Sequence, residues 1–218
     1  MVVHQQLALP KPEFNTGPRP ASVANEVRHG ASLYEKGDTL GALMAYDAAL
    51  SLKPDDANLR RTRGLLLGEL DRFEEALAEF DRLLVARPRD TDLLLLKGMA
   101  LYKLARYQES LTVCDEAIRL SPDESVVHAM RGYALDALDR CEDALEAFDH
   151  SLALEDNPHI TEARRAILDS YLWSLVRGGS ASWSGGKPRG SKHPAKLLSG
   201  GPPVSDYIIE ERRRQRGA

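Results

Sequence analysis

ANLRRTRGLLLGELDRFEEALAEFDRLLVARP, residues 57–88, reads as two helices joined by a tight turn. Asp55 and Asp56 follow Pro54 and offer short carboxylates to the orphan N–H groups of a first helix. Leu59, Leu66, Leu67 and Leu70 mark one face of that helix. Asp71-Arg72 makes the turn. Phe73, Leu77, Phe80 and Leu84 form the stripe of a second helix, and Pro88 ends it because proline cannot continue the hydrogen-bond ladder.

Working outward, the same pattern returns every 34 residues. Gly30, Gly64, Gly98 and Gly132 keep the step, as do Pro54, Pro88 and Pro122. So do Ala42, Ala76, Ser110 and Ala144, and Tyr46, Phe80, Cys114 and Phe148. Leu43, Leu77, Leu111 and Leu145 form another column, and Leu50, Leu84, Ile118 and Leu152 a further one. A fixed period in this range marks a repeat architecture. The glycine falls mid-helix, where it costs ~1 kcal/mol relative to alanine. Close approach of the paired helix is the expected compensation, with the Ala42/Ala76/Ser110/Ala144 column supplying the small facing residue and Tyr46, Phe80 and Phe148 filling the space around that contact.

Gly at the eighth place, Ala at the twentieth, an aromatic at the twenty-fourth and Pro at the thirty-second of a 34-residue unit resemble tetratricopeptide repeats (TPR). The resemblance implies an all-α fold: a right-handed α-solenoid of four helix-turn-helix TPR units over 23–56, 57–90, 91–124 and 125–158. Two places depart from the family pattern. The fourth carries Glu26, Arg60, Leu94 and His128, and the seventh carries His29, Arg63, Lys97 and Arg131, where the family favours large apolar residues. The fourth unit reads as stretched by two residues, with Glu155-Asp156-Asn157 before Pro158. Residues 160–177 read as a capping helix that completes a TPR domain over 23–177. Ile160, Ala163, Ile167, Tyr171 and Leu175 share one side, and Gly178-Gly179 stops the helix. Solenoid ends need such a cap to cover the last apolar face.

The flanks differ from this body. The chain of 218 residues carries a formal net charge of −4. Residues 1–22 contribute +1 and residues 178–218 contribute +5, leaving −10 for residues 23–177. Residues 1–22, with four prolines, read as a disordered N-terminal segment. From 178 the chain reads as a flexible basic tail, rich in Gly, Ser, Pro and Lys through Pro203. Within it, 204–216 reads as a short helix or linear motif: Tyr207-Ile208-Ile209, then Glu210-Glu211-Arg212-Arg213-Arg214. The start lacks the basic and apolar regions of a signal peptide, and no run is long enough to span a bilayer. A cytoplasmic location is the expectation. Cys114 and Cys141 form no C-x-x-C pair and read as small core residues.

No catalytic or metal-binding constellation emerges. The six histidines make no H-E-x-x-H and no Cys/His cluster at zinc spacing. Ser182-Trp183-Ser184-Gly185-Gly186-Lys187-Pro188 lacks the spacing of a phosphate loop. The expectation is therefore no enzyme, no cofactor and no metal. Asp47, Asp81, Asp115 and Asp149 recur one place after the aromatic column and read as a solvated outer face with local ion pairs.

The resemblance also implies a concave groove lined by the first helix of each unit. Its usual lining positions fall on Val27, Ala31 and Tyr34, then Arg61 and Leu65, then Leu95, Met99 and Tyr102, then Ala129 and Tyr133. Leu65, Met99, Tyr102 and Tyr133 give this lining an apolar, aromatic middle, the mark of a protein-binding surface. A subclass of the family clamps the carboxy-terminal carboxylates of chaperones. Its clamp positions fall on Val27, Ala31, Thr62, Asp92 and Leu96 here, which cannot make that clamp. The expected function is a non-catalytic interaction scaffold holding a partner peptide in the groove. Two alternatives stay open: the basic tail binds nucleic acid or an anionic membrane, or it docks into the chain's own groove and autoinhibits it.

Overall fold

The structure, a computed structural model, describes residues 22–177. The expectations for 1–21 and 178–218 lie outside the described residues. Among the described residues the chain forms nine helices and no strand. They are α1 (Val23–Glu35), α2 (Thr39–Leu52), α3 (Ala57–Glu69), α4 (Phe73–Ala86), α5 (Thr91–Lys103), α6 (Tyr107–Leu120), α7 (Ser125–Asp136), α8 (Cys141–Leu154) and α9 (Pro158–Arg177). The fold class is an all-α solenoid of helix-turn-helix units closed by one further helix.

The chain divides into two compact units, one ending at Asp55 and one beginning at Asp56. In the first, α1 and α2 pack as a hairpin. Ser22 caps α1 and Asp38 caps α2, each by accepting a backbone N–H three residues on. Ala42, Leu43, Ala45 and Ala49 form this unit's buried face. In the second, α3/α4, α5/α6 and α7/α8 are the hairpins. Each stacks on the next through α4 on α5, α6 on α7 and α8 on α9, and α5 also touches α7.

Local chemistry sets the helix ends. Asp56 accepts from the N–H groups of Asn58 and Leu59, and Asp90 from Leu93. The helices α4, α6 and α8 start instead at Arg72, Arg106 and Arg140, which give no side-chain cap. Each arginine pairs with the carboxylate three residues on, Glu75, Glu109 or Asp143, at 2.6 Å. The first helix of each hairpin closes in a left-handed residue: Gly37 (φ 80°), Asp71 (57°), Ala105 (57°) and Asp139 (58°). The next N–H reaches back to a carbonyl five residues earlier, as from Arg72 to Leu67 and from Arg106 to Leu101. This column also keeps the 34-residue step. Its alanine at 105 carries a steric cost of ~1 kcal/mol that glycine at 37 avoids.

The structure narrows the expected reason for the glycines. The Ala42/Ala76/Ser110/Ala144 column is fully buried, but what fills the space over the glycine is the aromatic column. A Cβ at Gly64 would stand 2.6 Å from the Phe80 ring, one at Gly132 2.8 Å from Phe148, and one at Gly30 2.9 Å from Tyr46. At Gly98 the neighbour is the smaller Cys114, whose sulfur would lie 3.4 Å away, an ordinary contact. Gly64→Ala is therefore expected to lose about 1–3 kcal/mol by overpacking. Gly98→Ala is expected to be neutral or to gain up to ~1 kcal/mol from helix propensity. Urea denaturation of the two variants side by side checks this. Equal losses would mean the ring is not what the glycine accommodates.

The stretch read in the fourth unit is absent from its helices. α8 ends at Leu154, in step with Leu52, Ala86 and Leu120. Asn157 accepts from the N–H of His159, and Pro158 occupies the first turn of α9, where its missing N–H costs nothing. α9 therefore starts two residues before the expected 160. Its buried residues include Ile160, Ile167, Leu168 and Leu172, while Ala163, Tyr171 and Leu175 are only half-buried. The face in contact is rotated toward Leu168 and Leu172. These two pack with Leu135, Leu145 and the wholly buried Phe148 into the core that closes α7, α8 and α9.

Candidate interaction surface

The ten residues expected to line a groove separate on inspection. Val27, Ala31 and Tyr34 stand on α1 in the first unit, Val27 half-buried and the other two exposed. The rest belong to the second unit. Arg61 is exposed on α3 and pairs with Asp92 of α5 at 3.2 Å, a solvated pair worth little. Leu95 is half-buried. Ala129 lies in the core at 5% exposure and offers no open surface. Its side chain is too short to reach past its neighbours on α7.

The remaining four keep an open apolar face. Leu65 on α3 is 40% exposed and Met99 on α5 is 46% exposed, large values for such side chains on a packed helix. Tyr102 and Tyr133 are half-buried, with ring centroids 6.4 Å apart across α5 and α7. Tyr102 also lies 5.4 Å from Tyr107, and Tyr133 stands edge-on to Phe148 at 5.0 Å. Packing therefore holds both tyrosines from behind. Partial burial raises both phenol pKa values, and neighbouring Tyr107 and Asp136 add to the shift of Tyr102.

The patch ends in acid. Asp136, the last residue of α7, is half-buried, and burial followed by repulsion from Asp139 lifts its carboxyl above the usual range. Just beyond it, Asp139, Arg140, Cys141, Glu142 and Asp143 line an open hollow of about 530 Å³, with Ser170, Tyr171 and Ser174 of α9 as the opposite wall; Arg140 is held by Asp143. The Tyr171 hydroxyl donates to Glu142 across it. Burial, then Asp136, Asp139 and Glu142, raise the Cys141 thiol, and burial pushes the Cys114 thiol up to about 12. Both cysteines are free, and neither sits where a reactive thiolate is stabilised. Sequence reasoning missed the hollow, because its two walls meet only through the packing of α8 on α9.

The structure gives the charged columns structural partners. Lys97 pairs with Asp81 and Arg131 with Asp115, both at 2.7 Å. Arg164 grips Asp149 with two hydrogen bonds, at 2.6 and 3.1 Å. These pairs run from the seventh place of one unit to the aspartate of the unit before, with α9 taking the last turn. Lys97 and Arg131, two of the basic residues that depart from the family pattern, are cations of this ladder. At the fourth place, Arg60 joins Arg63 and Arg82 around Glu79, whose carboxylate is buried at 3% exposure and accepts at 2.9–3.2 Å. His128 stacks on His150 at 5.7 Å and bonds to the Pro122 carbonyl. Among the described residues no group of His, Cys, Asp or Glu is arranged to hold a metal, and no helix is long and apolar enough to cross a membrane.

The sequence matches the family profile described as Tetratricopeptide repeat over residues 61–125. No curated protein matches the chain. Among solved structures, the chain is similar to TTC0263, a thermophilic TPR protein of Thermus thermophilus. It shares 26% identity with it over 70% of this chain and 82% of that one, at a TM-score of 0.57. MamA from Desulfovibrio magneticus RS-1 aligns over 89% of this chain and 96% of its own, with TM-score 0.63 and 16% identity. MamA of strain AMB-1 aligns over 62% and 79%, with TM-score 0.57 and 22% identity. The MamA likenesses speak to the fold alone.

Proposed function

From the premise that this chain is a tetratricopeptide repeat protein, we propose that it is a non-catalytic interaction scaffold that holds a partner peptide on the face of α3, α5 and α7. The fold class supports protein interaction in general. The observations that carry the finer reading are the exposed apolar side chains of Leu65 on α3 and Met99 on α5, and the paired rings of Tyr102 and Tyr133 on α5 and α7. Exposed apolar side chains braced by packed aromatics are what a peptide surface needs: contact area with little entropy left to lose. The ninth place also differs from unit to unit (Ala31, Leu65, Met99, Tyr133), whereas the buried Gly30/Gly64/Gly98/Gly132 and Leu43/Leu77/Leu111/Leu145 columns hold.

A displayed peptide library screened against the full chain tests this. Leu65→Asp with Met99→Glu is expected to keep the helical circular dichroism, because both side chains face solvent. It is expected to weaken the selected peptides by about 100-fold, the scale of losing central apolar contacts. Unchanged affinity would move the site off this face. Tyr133→Ala is the poorer test, because that ring also packs on Phe148.

A further inference from the structure

We propose that the natural occupant of this face is the chain's own C-terminal segment, residues 204–218, which docks there in cis and must be displaced by a partner of like chemistry. This rests on the reading of the α3–α5–α7 face as a peptide surface. The order of chemistry along the two is the first argument. Leu65 on α3, Met99 and Tyr102 on α5 and Tyr133 on α7 are followed at the end of α7 by Asp136, and then by Asp139 and Glu142 of the hollow, whose Arg140 is already paired with Asp143. The segment runs from Tyr207-Ile208-Ile209 to Arg212-Arg213-Arg214 and Arg216. An apolar triplet followed by guanidinium groups meets an apolar patch bordered by carboxylates. Asp136 is held partly out of water beside Asp139, and an arginine there relieves both penalties.

The tether is the second argument. The described chain ends at Arg177 of α9, and Tyr171 and Ser174 of that helix already wall the hollow. The 29 residues from 178 to 206 span at most about 100 Å. That exceeds several times the roughly 30 Å length of α9 itself. Charge is the third: residues 178–218 carry +5 against −10 on residues 23–177, and within 204–218, net +1, the four arginines gather at 212–216 while Asp206, Glu210 and Glu211 precede them.

The test uses a fluorescent peptide of residues 204–218 and two full-length forms, the native chain and Ile208→Asp/Ile209→Asp. A tether of this length supplies an effective concentration on the order of 1 mM, so a tail of about 10 µM intrinsic affinity blocks the face about 100-fold. The peptide should therefore bind the tail variant about 100-fold more tightly than the native chain. Adding Met99→Glu to the tail variant should abolish the binding, and added salt should weaken it. Equal affinity for both forms, or binding indifferent to Met99→Glu, overturns the proposal. So does sedimentation showing a native dimer that the tail substitutions dissolve, since the occupant is then a second copy. Peptide bound by poly(U) RNA or by phosphatidylserine-containing vesicles but not by the chain also overturns it. If library peptides still need Leu65 and Met99 while this peptide does not bind, the face stands and the tail falls. If neither binds, both readings fall.

Discussion

Phe148→Ala is expected to destabilise the second unit by about 3–5 kcal/mol, the largest single loss of any apolar truncation here. The ring is wholly buried and lies within 2.8 Å of where a Cβ would stand on Gly132. Its removal also takes away the edge contact that steadies Tyr133. Cavities of this kind collapse only partly, so lost contacts and void add together. The cavity also makes a sharper check possible. In the native chain Gly132→Ala should be harmful, because the new methyl meets the ring. In the Phe148→Ala background it should be neutral or stabilising, because the methyl enters the void. Urea melts of the four forms give the coupling directly. If Gly132→Ala costs the same in both backgrounds, the glycine is there for another reason.

Glu79→Ala is expected to cost about 2–3 kcal/mol. Breaking a buried ion pair by removing one partner typically costs about 3–5 kcal/mol, because the other charge is left uncompensated. Here the figure is discounted because Arg60 and Arg63 keep about a fifth of their side chains in water and Arg82 more. Three guanidinium groups would then face one another across the space the carboxylate held. High salt should return part of the loss by screening that repulsion, and Glu79→Gln should fall between native and Ala. Thermal melts at low and high salt check both. A loss below about 0.5 kcal/mol would place Glu79 with ordinary surface pairs.

The sequence carried the repeat, the caps at Asp56 and the stops before each proline, because those are local rules acting within one helix. It also displayed both rails of the ladder, the basic seventh place and the aspartate column. What joins them is a stacking contact between residues 16 apart, as in Asp81 and Lys97, and no single helix shows that spacing. The glycine column is visible, and so are the alanine and aromatic columns that face it. One-dimensional registers cannot say which of two facing columns points into the gap. Glu79 sits in a column otherwise held by Ala45, Val113 and Ala147, and a lone acid among small apolar residues was the available signal for a buried charge. Of the candidate surface, Leu65, Met99, Tyr102 and Tyr133 were legible from their places in the unit. The burial of Ala129 was not, because at that place residue size decides what shows.

The ladder of ion pairs also constrains how such a chain can change over generations. Copying or deleting a whole 34-residue block leaves each cation opposite an aspartate, since both rails shift together. Inserting one residue inside a helix turns everything beyond it by about 100°. That breaks a rung and swings a glycine away from its ring in the same stroke. Array length is therefore free to vary in whole blocks, while the block itself is locked, and novelty is confined to side chains that neither rail nor ring requires.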